Sequence, residues 1–254
     1  RTGYGGGCEG CDEPKAQCRK NGDGHCWPVM ACAGCSGCLE MGAQKKNGKL
    51  SAGHHSHKIR IVGGQWKRTP LVVADVEGLR PTSDRVRETV FNWLTHMRGA
   101  RFANMHCLDL FSGTGALGFE AASRGMAHVT MIEKNRVAYE QLQRARNKLQ
   151  ASQIAVFQAD AMDMAAQLIR QGKTFDLIFL DPPFRKEWLP KVIPLCVELL
   201  AKDGMVYIES DMQLTAERLA LWSGRDVSAL QLVRDGQAGQ VYYHLFEMQA
   251  SCLS

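Results

Sequence analysis

From residue 105 onward the chain alternates short apolar runs with longer amphipathic stretches. Apolar runs at 105–110, 128–132, 154–158, 175–180 and 204–208 are too short for helices, so they predict strands buried on both faces. Helical patterns near 114–124, 135–150, 161–171, 187–200 and 213–222 separate them. Strand–helix alternation of this length predicts a parallel sheet with helices on both faces. The ending differs. Residues 227–233 and 240–247 read as two strands joined by Asp235-Gly236-Gln237-Ala238-Gly239, a loop suited to a hairpin. Upstream, residues 59–73 are β-rich with a Gly63-Gly64 turn, a second hairpin signal. Ser83 or Asp84 can cap a helix running to about Met97, with Val86, Val90, Phe91 and Leu94 on one face. The expected class is α/β: a doubly wound, mostly parallel sheet ending in an antiparallel hairpin, with a small N-terminal hairpin-and-helix extension.

Composition narrows this little. The chain has 254 residues, 45% hydrophobic and 22% charged, which suits one sizeable core or one domain plus an appendage. Pervasive disorder, collagen and coiled coil are excluded. No run of 18 apolar residues predicts a transmembrane helix. The Gly/Cys-rich start has no apolar segment of the secretory kind. A first residue of Arg1 fits a fragment, a processed chain or a mis-assigned start.

Cysteine usage splits the chain. Seven of ten cysteines fall before residue 40, and beyond residue 58 only Cys107, Cys196 and Cys252 remain. The body therefore reads as a protein of a reducing compartment, the cytoplasm, without a disulfide framework. Residues 1–57 lack apolar periodicity and read as a tail. Cys8, Cys11, Cys32 and Cys35 are spaced like the ligands of one Zn²⁺. Against that, the tail has almost nothing apolar to pack, and Met41 looks like an ordinary bacterial start. The preferred expectation is that residues 1–40 are upstream sequence read into the frame. A metal-binding tail and disordered filler are the alternatives. His54, His55 and His57 read as linker residues.

Charge marks a second boundary. Residues 58–101 hold nine basic against four acidic residues, a net +5, whereas 102–254 hold fifteen against seventeen. A basic segment beside a near-neutral body suits a polyanion partner, or a solvated helix face. The expected organisation is a tail at 1–57, a basic extension at 58–101 and a core at 102–250.

Two loops carry candidate chemistry. Asp109-Leu110-Phe111-Ser112-Gly113-Thr114-Gly115-Ala116-Leu117-Gly118 places a GxGxxG between a strand and a helix. That is the context in which backbone approaches a nucleotide-type ligand. Glu133 ends the next strand, placed to accept hydrogen bonds from ribose hydroxyls. Asp109 at the strand's carboxyl edge would repel a pyrophosphate but suit the cationic aminoacyl-sulfonium of S-adenosylmethionine; a plain loop-capping aspartate is the other reading. Asp160, after the third strand, could hold an adenine amine or simply cap the next helix. The fourth strand runs into Asp181-Pro182-Pro183-Phe184. Two prolines fix the backbone and remove two donors, leaving a rigid acceptor-rich turn. A carboxylate and a preset carbonyl there can hold an exocyclic amine by both hydrogens, with an aromatic face for the base.

The stretch from Arg60 to about Phe246 resembles the bacterial 16S rRNA (guanine-966-N2)-methyltransferases, the RsmD-like family. The marks are Arg60-Ile61-Val62-Gly63-Gly64-Gln65-Trp66, the block Leu79-Arg80-Pro81-Thr82-Ser83-Asp84-Arg85-Val86-Arg87-Glu88-Thr89 with Phe91-Asn92-Trp93-Leu94, the glycine loop and DPPF. Tyr207-Ile208-Glu209-Ser210 and Ala238-Gly239-Gln240-Val241 complete them. The resemblance implies a Rossmann-like class I methyltransferase fold, S-adenosylmethionine as cofactor and 16S rRNA, in a small ribosomal subunit particle, as substrate. It assigns cofactor contacts to Asp109, Phe111, Ser112, Gly113, Thr114, Gly115, Glu133, Asp160, Ala161 and Thr82. It assigns the target amine to Asp181, Pro182, Pro183 and Phe184. Arg60, Lys67, Arg68, Arg80, Arg85 and Arg87 become candidates for phosphate contacts. A monomer without membrane association is expected. The competing readings are an amino-methyltransferase for another acceptor, such as adenine N6 in DNA, and a non-catalytic RNA-binding protein. The first would need a large target-recognition insertion; the second would need neither the glycine loop nor DPPF.

Overall fold

The computed structural model describes residues 58–73, 76, 82–99, 101–183, 188–223 and 230–249. The proposed zinc ligands Cys8, Cys11, Cys32 and Cys35 lie outside the described residues, as do Arg80 and Phe184.

In chain order the elements are β1 (Lys58–Arg60), β2 (Pro70–Val72), α1 (Asp84–Arg98), β3 (His106–Asp109), α2 (Ala116–Ser123), β4 (His128–Glu133), α3 (Arg136–Leu149) and β5 (Ile154–Gln158). There follow α4 (Ala161–Arg170), β6 (Phe175–Leu180), α5 (Leu189–Leu199), β7 (Leu200–Ser210), α6 (Ala216–Ser223), β8 (Leu230–Ala238) and β9 (Val241–Met248). Strands β3 to β9 form one sheet in the order β5-β4-β3-β6-β7-β9-β8. The first five of these are parallel, and β9 enters antiparallel between β7 and β8. The expected doubly wound sheet with an antiparallel end is therefore present. Its strand order reverses between β3 and β6, the place where such sheets open a crevice at their carboxyl edge.

Period two divides the core. Cys107, Val129, Met131, Leu177, Phe179 and Tyr207 face one side, packed with α1, α2 and the β1–β2 hairpin. Leu108, Ile132, Ile178, Leu180, Val206 and Ile208 face the other, under α4, α5 and α6. Ser83 caps α1, its Oγ accepting from Val86 N, and Gly99 ends that helix in the left-handed region. Phe91 meets Phe179 at 5.9 Å and Trp93 stacks on Tyr243 at 5.5 Å, so α1 lies across β6 and β9.

Both hairpins differ from expectation at their connections. Ala238 pairs with Val241, so the terminal turn is Gly239-Gln240, and Asp235-Gly236-Gln237 belong to strand β8. Ladder pairing with an inner strand outweighs the local turn preference of Asp-Gly. At the N-terminal end Lys58–Arg60 pair with Pro70–Val72, and residues 61–69 connect them rather than a tight turn at 63–64. The two glycines serve docking instead. Gly64 has φ +75°, and a Cβ there would sit 1.9 Å from the Ser123 carbonyl oxygen. The amide of Gln65 donates to that carbonyl at 2.8 Å, and the amide of Trp66 donates to Ser123 Oγ at 3.0 Å.

The anchor of this docking is Glu120, fully buried in a helix whose every residue is buried. Its two oxygens accept from Val62 N (2.7 Å), Gly63 N (2.8 Å), Arg87 Nη1 (3.3 Å) and Arg124 Nε (2.8 Å). Arg87 is itself fully buried and donates to Asp84 Oδ1, while Asp84 Oδ2 accepts from Arg60. Burial pulls the Arg87 guanidinium below its ordinary value, and Glu120 and Asp84 oppose that without cancelling it. This overturns the phosphate-contact role expected of Arg87. Its position, three and four residues before Val90 and Phe91, puts it on the apolar face of α1.

Removing one partner from a buried charge network strands the others, so Glu120→Ala is expected to cost about 3–5 kcal/mol. Arg60→Ala, at the exposed end of the same chain of charges, is expected to cost under about 1 kcal/mol. Denaturant melts of both variants check this; equal small losses would refute it.

Candidate active site

Four adjacent strands, β4, β3, β6 and β7, carry an acid at or next to their carboxyl ends: Glu133, Asp109, Asp181 just after β6, and Glu209 one residue before the end of β7. All four positions share the phase of Met131, Cys107, Phe179 and Tyr207, so they continue the face that packs against α1 and α2. The row is stepped. Asp109 is opposite Met131 and Phe179, so it lies one pleat deeper than Glu133 and Asp181. Leu180 is opposite Ile208, which sets Asp181 beside Glu209. The row opens on a cavity of about 590 Å³ that all four acids line.

The glycine loop forms one wall. Glu133 Oε2 accepts from Gly113 N at 2.8 Å and Oε1 from Asn135 N at 2.6 Å, which fastens the loop to the end of β4. A carboxylate has about four acceptor positions, so capacity for ligand hydroxyls is left over. Phe111, Ser112, Gly113 and Thr114 line the cavity, and Gly115 does not. Gly115 has φ +78°, and a Cβ there would come within 2.6 Å of Leu142 and 2.7 Å of Phe119; its task is the close entry into α2.

Asp109 is 2% exposed and accepts from Gly118 N at 3.1 Å. It thus caps the start of α2 and also faces the cavity, which joins both readings of this residue. Burial pushes its carboxyl up to about 7, with the Gly118 amide opposing the rise and Glu133 adding to it. Asp160 caps α4 through Met162 N at 2.9 Å and pairs with Lys134 at 3.0 Å. Burial works upward there, but Lys134 and the helix amides outweigh it and hold Asp160 below its ordinary value. Ala161 lies beside it in the lining.

The opposite wall is the amine-holding candidate. Asp181, Pro182 and Pro183 line the cavity. Glu209 is 5% exposed, and its Oε1 accepts from Thr82 Oγ1 at 2.7 Å and from Tyr207 OH at 2.9 Å. Thr82 lines the cavity just before α1 and is fixed by its bond to Glu209. Ala238 and Val241, flanking the terminal turn, close the far side.

Sequence reasoning missed three residues here. Glu209 had a signal, an acid at a strand end in the same phase as Asp181. Glu120 had one too, a lone charge inside the apolar run ALGFEAAS. Trp188 had none beyond being aromatic. It lines the cavity edge-to-face with Phe111 at 5.9 Å, and its buried Nε1 has no hydrogen-bond partner among the described residues. Of the basic candidates, Arg60, Lys67, Arg68 and Arg85 are exposed.

The Asp109 carboxyl keeps its proton to about pH 7 when folded, against an ordinary 3.8. Its contribution to stability is therefore complete below pH 3.8 and is lost as pH rises through about 7. Asp109→Asn, which keeps an acceptor for Gly118 N, is expected to gain on the wild type in thermal stability across that window. A pH-independent difference between the two melts would refute the assignment.

Residues 59–247 match the family model described as Conserved hypothetical protein 95. Ribosomal RNA small subunit methyltransferase D of Escherichia coli (strain K12) is 40% identical over 198 residues, covering 77% of this chain and 92% of that protein. The protein of the same name from Haemophilus influenzae is 33% identical, covering 78% and 98%. Among solved structures, yhhF from Escherichia coli superposes with a TM-score of 0.64 at 38% identity, covering 77% of this chain and all of that one. A SAM-dependent methyltransferase from Agrobacterium tumefaciens superposes at 0.51 with 18% identity, covering 65% and 63%, a likeness of fold alone. The chain belongs to the Conserved hypothetical protein 95 family and groups with the proteins named ribosomal RNA small subunit methyltransferase D.

Proposed function

We propose that this protein methylates the exocyclic N2 of a guanine in 16S rRNA, using S-adenosylmethionine, and that it acts as a monomer on a small ribosomal subunit particle in the cytoplasm. The observation that carries this reading is that Asp181-Pro182-Pro183 and the glycine loop, which follow adjacent strands, line one cavity. Identity to the rRNA methyltransferases over most of the chain supports rRNA as the substrate. Among the described residues, no helix is long and apolar enough to cross a membrane.

The donor set fits S-adenosylmethionine. Buried Asp109 answers a cationic aminoacyl group, Glu133 the ribose hydroxyls, and Asp160 with Ala161 the adenine end. When bound, the cofactor supplies an electrophilic methyl group on a sulfonium sulfur. The protein's own work is positioning. A guanine amine is a poor nucleophile because its lone pair is spread into the ring. Asp181 and the Pro182 carbonyl accept its two hydrogens, which turns the nitrogen lone pair toward the methyl. The Asp181 carboxylate, as acceptor of an amine N–H, would hold the proton that the nitrogen gives up. Orientation and exclusion of water are the main accelerations such a transfer needs. The base must leave its stack to reach the cavity, and looped RNA makes that less costly.

Labelled S-adenosylmethionine with base mapping on small-subunit particles, naked rRNA and DNA tests the reading; label on DNA adenine would overturn it. Asp181→Ala is expected to leave cofactor binding within a few-fold by calorimetry and to cut transfer at least about 100-fold. Full activity in that variant would remove the amine-holding role. Lys67→Ala with Arg68→Ala is expected to lower the slope of log affinity against log salt by about one for each phosphate no longer neutralised. An unchanged slope would move the RNA path off the hairpin loop.

A further inference from the structure

Glu209 has no task in the transfer itself. Yet it lies one residue from the end of the strand next to Asp181, in the same phase, with Leu180 and Ile208 in register just before the two acids. Neighbouring strands are about 5 Å apart, the scale of one purine edge. Hydrogen bonds from Thr82 and Tyr207 hold the Glu209 carboxylate in one orientation at the cavity wall. Burial and the nearby Glu209 and Asp181 push the Tyr207 phenol well up, so it stays a donor to that carboxylate. Both bonds fall on Oε1, and a carboxylate offers about four acceptor positions in all.

The edge of the base decides what that donor is. In guanine the ring atoms beside the 2-amino group are N1–H, a donor, and N3, a lone pair, so an adjacent carboxylate favours the N1–H side. In adenine the atom beside the 6-amino group is N1, a lone pair that a carboxylate repels. If Asp181 and Pro182 hold the amine, the next atom along the edge meets the next acceptor in the row. We propose that Glu209 accepts the N1–H of the target guanine and so selects guanine over adenine. This rests on the reading that the Asp181–Pro182 turn holds a guanine N2. A buried acceptor built for one donor rejects analogues that lack it far more strongly than an apolar wall does.

The test uses particles reconstituted with rRNA carrying either guanine or 2-aminopurine at the methylated position. 2-Aminopurine keeps the 2-amino group but presents a bare N1. The wild type is expected to favour guanine by about 100-fold or more in kcat/KM. Glu209→Gln, whose carboxamide can turn a donor to the bare N1, is expected to narrow that preference at least about tenfold. Its binding of S-adenosylmethionine, by calorimetry, stays within about threefold. The preference is a ratio within one variant, so a partly unfolded sample does not distort it. An unchanged ratio in Glu209→Gln and Glu209→Ala, with guanine N2 labelled by the wild type, overturns the role of Glu209 alone. A wild type that labels no guanine N2 overturns the underlying reading as well.

Discussion

The structure hangs on one buried carboxylate. Glu120 lies inside α2, where no water can solvate it, and it is held by two backbone amides of the N-terminal hairpin connection and two guanidinium groups. Each donor comes from a different stretch: Val62 and Gly63 follow β1, Arg87 lies in α1, and Arg124 ends α2. Charges alternate along the path Arg60, Asp84, Arg87, Glu120 and Arg124. Such a network tolerates burial only when every member is satisfied. Its geometry therefore fixes where α1 begins relative to α2. That matters for the site, because α2 starts at the glycine loop and α1 is preceded by Thr82 and Ser83, which line the same cavity.

The cavity itself is built on crowded negative charge. Glu133, Asp109, Asp181 and Glu209 lie at or next to the carboxyl ends of four neighbouring strands, in one phase. Their proximity is visible in the groups around them: burial first, and Glu133 with it, push Asp109 up, and burial with Glu209 and Asp181 does the same to Tyr207. A phosphate would meet repulsion everywhere along this row. A ligand that is cationic at one end and rich in N–H and O–H donors would relieve it. On the proposed function, this row would repel the phosphates of the substrate and take only a base edge, so the polyanion would be held elsewhere.

Much of this was legible in the residues. Five strands and their helices followed from apolar runs and helical periodicity, and the Ser83 cap from a short polar residue before an apolar face. The glycine loop and the Asp181-Pro182-Pro183 turn identified themselves because each breaks a strong local rule in the right context. What stayed hidden was long-range. Glu120 reads as an anomaly in an apolar helix until the chain 57 residues earlier is seen to donate to it. The Gly63-Gly64 pair looks like a turn, because only the fold brings Ser123 within contact of it. Glu209 looks like any acid at the end of a strand, because its neighbour in space, Asp181, is set by register rather than by sequence distance.

Arg87 shows how the correction of one residue redraws the recognition surface. Counting charge along 58–101 treats its nine basic residues alike. The structure does not. Arg87 is spent inside, Arg60 faces Asp84, and Arg98 pairs with Glu247 at 3.3 Å. Exposed positive charge in the described part of the extension is then concentrated on Lys67 and Arg68 of the hairpin connection, Arg85 on α1 and Arg101 beyond it. Arg85 stands two residues from Ser83, which lines the cavity. A strand of RNA bound by those side chains would be held by its phosphates outside the row of carboxylates, leaving only an extruded base to enter it.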